Sequence, residues 1–165
     1  MKEKILILNQ KQIDRKLERM AFEIWEQNST EQEITIVGIE GAGEILAKKL
    51  AERLMRISSL AVTVLTISIN KKSPQEHSIF LNKNNLSNSV VLVDDVANSG
   101  KTLLYALKPL LAFAIKKIRI AVLVDRKHKS FPVHPDIVGH SVATTLQNHI
   151  EVVCENDEIV AAFLN

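Results

Sequence analysis

The chain has 165 residues, 46% of them hydrophobic and 24% charged, with a net charge of +2. That length suits one domain with a substantial core, residues 1–165, and the composition is neither that of a disordered chain nor that of a membrane protein. The small charge excess argues against DNA or another nucleic acid as the main partner, and the lone Cys154 excludes an internal disulfide and a cysteine-based zinc site.

The start, Met1-Lys2-Glu3-Lys4, leads into only four apolar residues, so no signal peptide is expected. Ile5 to Leu8 reads as an edge strand or an arm docked on the body. Asn9 is placed to cap the next helix, with Gln12 three residues on in capping-box position. Ile13, Leu17, Met20, Ala21 and Ile24, with Trp25 at the margin, recur at helical spacing and predict an amphipathic helix to Gln27. Arg15, Lys16 and Arg19 on its polar face read as a solvated surface.

Ile34 to Val37 reads as a strand, followed by Gly38-Ile39-Glu40-Gly41-Ala42-Gly43 and a helix from about Glu44 to Arg56. Ile45, Leu46, Leu50, Leu54 and Ile57 form that helix's apolar stripe. A glycine-rich turn entering a helix is a potential phosphate site, because the free N–H groups of the first turn point at the ligand. It is not a dinucleotide fingerprint, since the third glycine position is Leu46. Ala61 to Ile69 alternates apolar and small polar residues and reads as the next strand. Residues 70–89 then turn polar, with Ile79-Phe80-Leu81 as one short strand of a hairpin. This is the natural place for a mobile flap.

Val90-Val91-Leu92-Val93 reads as a buried strand with Asp94 and Asp95 at its carboxyl end. Val96, Ala97, Asn98, Ser99, Gly100, Lys101 and Thr102 then lead into a helix reaching about Ala114, with Leu103, Leu104, Leu107, Leu110 and Leu111 on its core side and Pro109 a kink or a new turn. In open α/β sheets, ligands bind outside the carboxyl ends of strands. The loop offers N–H groups, two hydroxyls and a lysine to a phosphate, and the acids can hold sugar hydroxyls or a divalent cation through water. A phosphate pocket beside a diol pocket suggests a phosphorylated sugar. Gly100-Lys101-Thr102 ends like a nucleoside-triphosphatase P-loop, but Asp95 stands where that pattern needs glycine. The bland alternative is a strand–turn–helix whose acids are merely solvated.

Ile118 to Val124 reads as a further strand, ending at Asp125-Arg126-Lys127-His128-Lys129 on the same rim. Ile137-Val138-Gly139 is a short strand or turn, and Ile150 to Cys154 and Glu158 to Phe163 read as two terminal strands joined by Glu155-Asn156-Asp157. The longest apolar region, Leu103 to Ile115, contains Lys108 and Pro109 and is too short to span a bilayer. None of His77, His128, His134, His140 and His149 shows a ligand spacing; His128, following Asp125-Arg126 at a strand end, is the one to watch. Strands alternating with helices argue an α/β fold with a mostly parallel sheet covered on both faces.

The run from Asp94 to Thr102 resembles the 5-phosphoribosyl-1-diphosphate (PRPP) motif of the type I phosphoribosyltransferases. Ile36-Val37-Gly38-Ile39, residues 46–53 and Ala121-Val122-Leu123-Val124-Asp125-Arg126-Lys127-His128 extend the likeness to the pyrimidine-operon attenuator/uracil phosphoribosyltransferase (PyrR) family. The resemblance implies a twisted parallel sheet flanked by helices, with a small hood or flap region. It implies that Asp94 and Asp95 hold the ribose hydroxyls and residues 96–102 the 5-phosphate. Ile39, Glu40, Gly41, Ala42 and Gly43 would meet the pyrophosphate, and Asp125 and Arg126 would lie near the base. Mg²⁺ is the implied cofactor, bridging pyrophosphate and ribose and touching Asp94 and Asp95. Uracil is the leading base, with a cytoplasmic homodimer expected and no membrane partner.

The chain departs from the family pattern at three places. The family's pyrophosphate loop commonly carries Thr-Arg-Gly where this chain has Gly41-Ala42-Gly43, preceded by acidic Glu40. Residues 70–89 are shorter than the family's flap and lack its Tyr-Arg-Asp element. Glu18 and Phe22 stand where RNA-binding members carry a small polar residue and a histidine, and a carboxylate there repels a phosphate backbone. A regulator that senses PRPP or a nucleotide, with or without RNA, is therefore a second expectation beside the enzyme.

Overall fold

The computed structural model describes residues 4–75, 80–81, 86–143 and 148–165. Residues 76–79 and 82–85 of the expected hairpin segment lie outside the described residues, His77 and Ile79 among them. The first strand, β1 (Ile5–Asn9), leads directly into α1 (Gln10–Gln27). The capping box forms as expected: the Gln12 N–H donates to the Asn9 side chain and the Asn9 N–H to Gln12 Oε1, each at 2.9 Å. Two N–H groups that the helix cannot satisfy are thereby paired. Ile13, Leu17, Met20, Ala21 and Ile24 are all buried, whereas Trp25 is 38% exposed and meets Phe22 at a ring separation of 6.3 Å. Arg19 is not merely solvated. Its guanidinium donates to the carbonyls of Val138 and Gly139, at 2.8 Å each.

The strand β2 (Glu33–Ile39) extends beyond the expected boundary, and α2 (Ala42–Ile57) begins two residues earlier than expected. The glycine-rich turn is thus only Glu40-Gly41, with Ala42 and Gly43 already in the first helical turn. The cause is local. Gly41 takes φ +94°, ψ −133°, a conformation open to glycine, and this turns the chain sharply into the helix. Next come β3 (Ala61–Ser68), the two-residue β4 (Phe80–Leu81) and β5 (Ser89–Ala97). Both acids therefore lie inside β5 rather than beyond it. α3 (Lys101–Leu110) stops short of the expected Ala114, with Pro109 in its last turn. Proline offers no N–H and its ring crowds the preceding turn, so the helix ends there and Leu111 is left 73% exposed instead of packing in the core.

β6 (Lys117–Arg126) and β7 (Ile137–Val142) complete the main sheet, whose order is β4-β3-β2-β5-β6-β7. All its pairs are parallel except β3 with β4. β8 (Ile150–Glu155) and β9 (Glu158–Leu164) form an antiparallel hairpin that also pairs with β1 in a separate three-stranded sheet. Asn156 (φ 51°) and Asp157 (φ 60°) take the left-handed conformations that a two-residue hairpin turn demands.

Alternating side chains of the central strand feed two cores. Val91 and Val93 join α1, α2 and the small sheet on one face, while Val90 and Leu92 join α3 on the other. A strand buried on both faces reads as continuous apolar sequence, which is why the Val90–Val93 run is so plain. Among the described residues no helix is long and apolar enough to cross a membrane.

Candidate phosphosugar site

After β3 the chain returns to the other side of β2, so strand order reverses between β2 and β5. Such a reversal opens a crevice at the carboxyl ends of the two strands. Those ends carry Glu40-Gly41 and Asp94-Asp95. A cleft of about 320 Å³ lies there, lined by Lys71, Asp94, Asp95, residues 96–103 and, from the small sheet, His149, Ile150, Glu151 and Val152.

Asp94 is almost wholly buried, 1% exposed, and its Oδ1 accepts the N–H of Asp95 at 3.0 Å. Burial pushes its carboxyl up to about 8; the charge of Asp95 adds to this and that of Lys71 opposes it. Lys71 Nζ bridges the pair, 3.1 Å from Asp94 Oδ1 and 3.5 Å from Asp95 Oδ1. Burial lowers the lysine's own pKa, but the two carboxylates outweigh that and leave it raised. Gly43 makes the acid's position possible: a Cβ there would stand 2.9 Å from Asp94 Oδ1 and 3.1 Å from the Val93 carbonyl oxygen. The first turn of α2 thus packs directly on the carboxyl half of β5.

The loop between β5 and α3 is built from its backbone. Gly100 is left-handed at φ +86°, and a Cβ on it would lie 3.2 Å from the carbonyl oxygen of Val133 and 3.3 Å from that of Phe131. The Ser99 carbonyl accepts the N–H groups of Ser130 and Phe131, both at 3.0 Å, and the Ser99 hydroxyl accepts that of Lys101 at 3.3 Å. The loop therefore holds a fixed curve that opens onto the cleft at the amino terminus of α3, where positive dipole and free N–H groups favour an anion.

The expected residues divide into three groups. Asp94, Asp95 and residues 96–102 line one cleft. Ile39 is buried, and Glu40 is turned aside to accept a hydrogen bond from the Ser68 hydroxyl, so this turn flanks the cleft without lining it. Asp125 pairs with Lys129 at 2.5 Å, and Arg126 donates to Asn98 Oδ1 at 3.3 Å; neither is among the residues that line the cleft. Sequence reasoning missed Lys71 and the wall formed by residues 149–152. The signal for Lys71 was its place just past a strand's carboxyl end; for the wall there was none. Glu18, read as repelling RNA, is neutralised by Arg56 at 2.8 Å and Arg53 at 3.5 Å.

Among the described residues no group of three or more histidine, cysteine or acidic side chains could hold a metal ion alone. Two adjacent carboxylates that already attract the Lys71 ammonium do fit Mg²⁺, which usually takes one or two carboxylates and completes its shell with water and substrate phosphate oxygens.

A parallel sheet with its crevice at a strand reversal, two acids and a loop at a helix amino terminus define an α/β protein with a candidate phosphosugar cleft, and the comparisons with known proteins make its family definite. Residues 6–158 match the phosphoribosyl transferase domain, and the chain belongs to that family. Its relatives include the Bifunctional protein PyrR of Latilactobacillus sakei, 34% identical over 89% of this chain and 91% of that protein, and the Bifunctional protein PyrR of Bacillus cereus, 33% identical over 92% and 91%. Among solved structures, the hypoxanthine phosphoribosyltransferase of Trypanosoma cruzi superposes with a TM-score of 0.76 over 95% of both chains at 14% identity. A hypoxanthine-guanine phosphoribosyltransferase of Bacillus anthracis does so at 0.68, over 87% of this chain and 85% of that one, at 19% identity. These two likenesses concern the fold.

Proposed function

We propose that this protein transfers the 5-phosphoribosyl group of PRPP to a nucleobase, uracil first among them, and releases pyrophosphate. The observation that carries this is the meeting of Asp94 and Asp95 with the 96–102 loop in one cleft of about 320 Å³. A base nitrogen forms the new bond to the anomeric carbon as the bond to pyrophosphate breaks; the leaving group takes the electron pair and the nitrogen gives up its proton to water. The transition state gains from fixing the ribose and neutralising developing charge, so positioning and electrostatics do most of the work. Residues 99–102 hold the 5-phosphate, and Asp94 and Asp95 hold the ribose hydroxyls. The Glu40-Gly41 turn and the start of α2 flank the leaving group. Asp94 and Asp95 would hold Mg²⁺ through water, and its charge would neutralise the pyrophosphate. Lys71 exchanges its carboxylate partners for ligand phosphate when the cleft fills. Asp125 and Arg126, which the family likeness implies near the base, act through the loop that Arg126 braces at Asn98.

A second reading, a sensor that binds PRPP or a nucleotide without turnover, has one observation in its favour: acidic Glu40 stands in the turn that flanks the leaving group. Calorimetric titration of PRPP with Mg²⁺, followed by uracil and an assay for released pyrophosphate, separates the two. Binding with release is the expected result. Binding without release across a panel of bases would favour the sensor, and no binding would overturn both. The RNA arm of the sensor reading predicts an affinity that falls steeply with salt and rises with UMP.

A further inference from the structure

Behind the phosphate loop runs a segment, residues 125–133, that touches the loop at every turn yet lines no part of the cleft. Its centre is Lys129, whose side chain is only 4% exposed. The ammonium donates to Asp125 Oδ1 at 2.5 Å and to the Arg126 carbonyl, and it stands 3.5 Å from the carbonyl oxygen of Ala97, where β5 becomes the loop. A lysine this buried persists only when its charge is paired and its protons are taken up, and here all three acceptors are supplied by the ends of β5 and β6.

The next two residues use the geometry that this knot creates. Ser130 and Phe131 both donate their N–H groups to the Ser99 carbonyl at 3.0 Å. The Phe131 and Val133 carbonyls stand against Gly100 so closely that a single added carbon would press on them. The loop's curve is thus not self-supporting. It is moulded on a strap, and the strap is folded back by one buried cation.

We propose that Lys129 is a positioning residue of the phosphate site: its ammonium ties the ends of β5 and β6 together and holds residues 129–131 against Ser99, so that the 97–100 loop keeps its anion-binding shape. Its effect on phosphate rests on the site reading given above, but its effect on the loop does not. The same ammonium lies beneath a loop that receives a dianion, so its positive charge favours the ligand as well as the shape. Lys129→Met removes the cation and leaves Asp125 unpaired; Lys129→Arg keeps the charge.

The decisive experiment has a ligand-free part and a ligand part. Amide hydrogen exchange on wild type and Lys129→Met is expected to show lost protection at Ser130, Phe131 and the start of α3, with β2 and β5 unchanged. Unchanged protection at Ser130 and Phe131 would overturn the proposal whatever the cleft binds. Ribose 5-phosphate is then titrated into each protein. The expected result is binding weakened about tenfold in Lys129→Met, the scale of one lost charge-assisted hydrogen bond, and largely restored in Lys129→Arg. With PRPP the KM should rise while kcat at saturation holds, since the loop grips ground state and transition state alike. Equal affinity in wild type and Lys129→Met would overturn the proposal, whereas failure of wild type itself to bind would fault the site reading and leave the exchange result to decide. Should Lys129→Met not fold, Asp125→Asn, which weakens the same knot from its other side, is expected to show a smaller loss in both measurements; no loss in either would overturn the proposal.

Discussion

At the end of the cleft proposed for phosphate, the chain is held by backbone: two N–H groups on the Ser99 carbonyl, a left-handed Gly100 and carbonyls packed behind it. At the end proposed for the diol, 3.1 and 3.5 Å are the distances from one lysine to two carboxylates, and Lys71 comes from a loop rather than a strand. The first end is shaped before any ligand arrives and costs little to organise on binding. The second is a charge arrangement that a ligand must exchange for its own. On the function proposed above, binding at one end is set by shape, and at the other by competition between cations for Asp94 and Asp95.

The strongest way to break this comparison is to replace the acids while keeping the shape. Asp94→Asn and Asp95→Asn are each expected to lower pyrophosphate release by about 10²-fold or more while ribose 5-phosphate still binds and the melting curve stays cooperative, because they remove the acids that would hold the ribose and the cation and leave the loop alone. Full activity in both variants would sink the assignment. The converse variant attacks the shape. Gly100→Ala forces a left-handed conformation on an ordinary residue and presses its Cβ on two carbonyls, at a cost of about 1–3 kcal/mol in unfolding free energy, with phosphate affinity falling in parallel. Denaturant titration and calorimetry measure both; an unperturbed affinity would mean the loop's shape is not what binds.

A pH series sharpens the diol end. Asp94 holds its proton up to about pH 8 in the folded chain, against an ordinary 3.8. Between those values the folded state carries a proton the unfolded chain has lost, so its contribution to stability is full at low pH and fades as pH rises toward 8. The melting temperature of Asp94→Asn should therefore overtake that of the wild type by a widening margin from pH 5 to 8, and parallel curves would refute a buried, reluctant carboxyl. The smallest effect belongs to Lys71→Met. Its side chain is half exposed, so the ligand-free protein should lose less than about 1 kcal/mol. The larger change should appear in the Mg²⁺ concentration needed for half-maximal PRPP binding, and an unchanged requirement would show that the lysine does not compete there.

What was readable in the sequence follows from how far apart the partners stand. Asn9 and Gln12 are three residues apart, so the helix start was legible, and Val90 to Thr102 is one continuous stretch, so the acids and the phosphate loop were too. Proline chemistry made Pro109 suspect, but not that it would free Leu111. Lys71 could not be paired with Asp94, because only the crossover between β3 and β5 brings them together. Arg19 found the carbonyls of Val138 and Gly139, and Ser99 found Ser130 and Phe131, through contacts that no spacing rule encodes. The shortened Glu40-Gly41 turn was hidden for another reason. Glycines at 38, 41 and 43 read alike in sequence, yet one bends the chain at a positive φ and the other two admit close neighbours.

The wall contributed by β8 has a consequence for how the molecule comes together. Its sheet joins Ile5 to Leu164, almost the whole length of the chain apart, whereas the paired strands of the main sheet lie much nearer to one another in sequence. Bringing such distant segments together pays the largest loop-closure entropy in the fold. The β1–β9 pairing is therefore expected to form after the parallel layer and its helices, which would make the wall of residues 149–152 a late-forming side of the cleft; hydrogen exchange along β8 and β9 checks this.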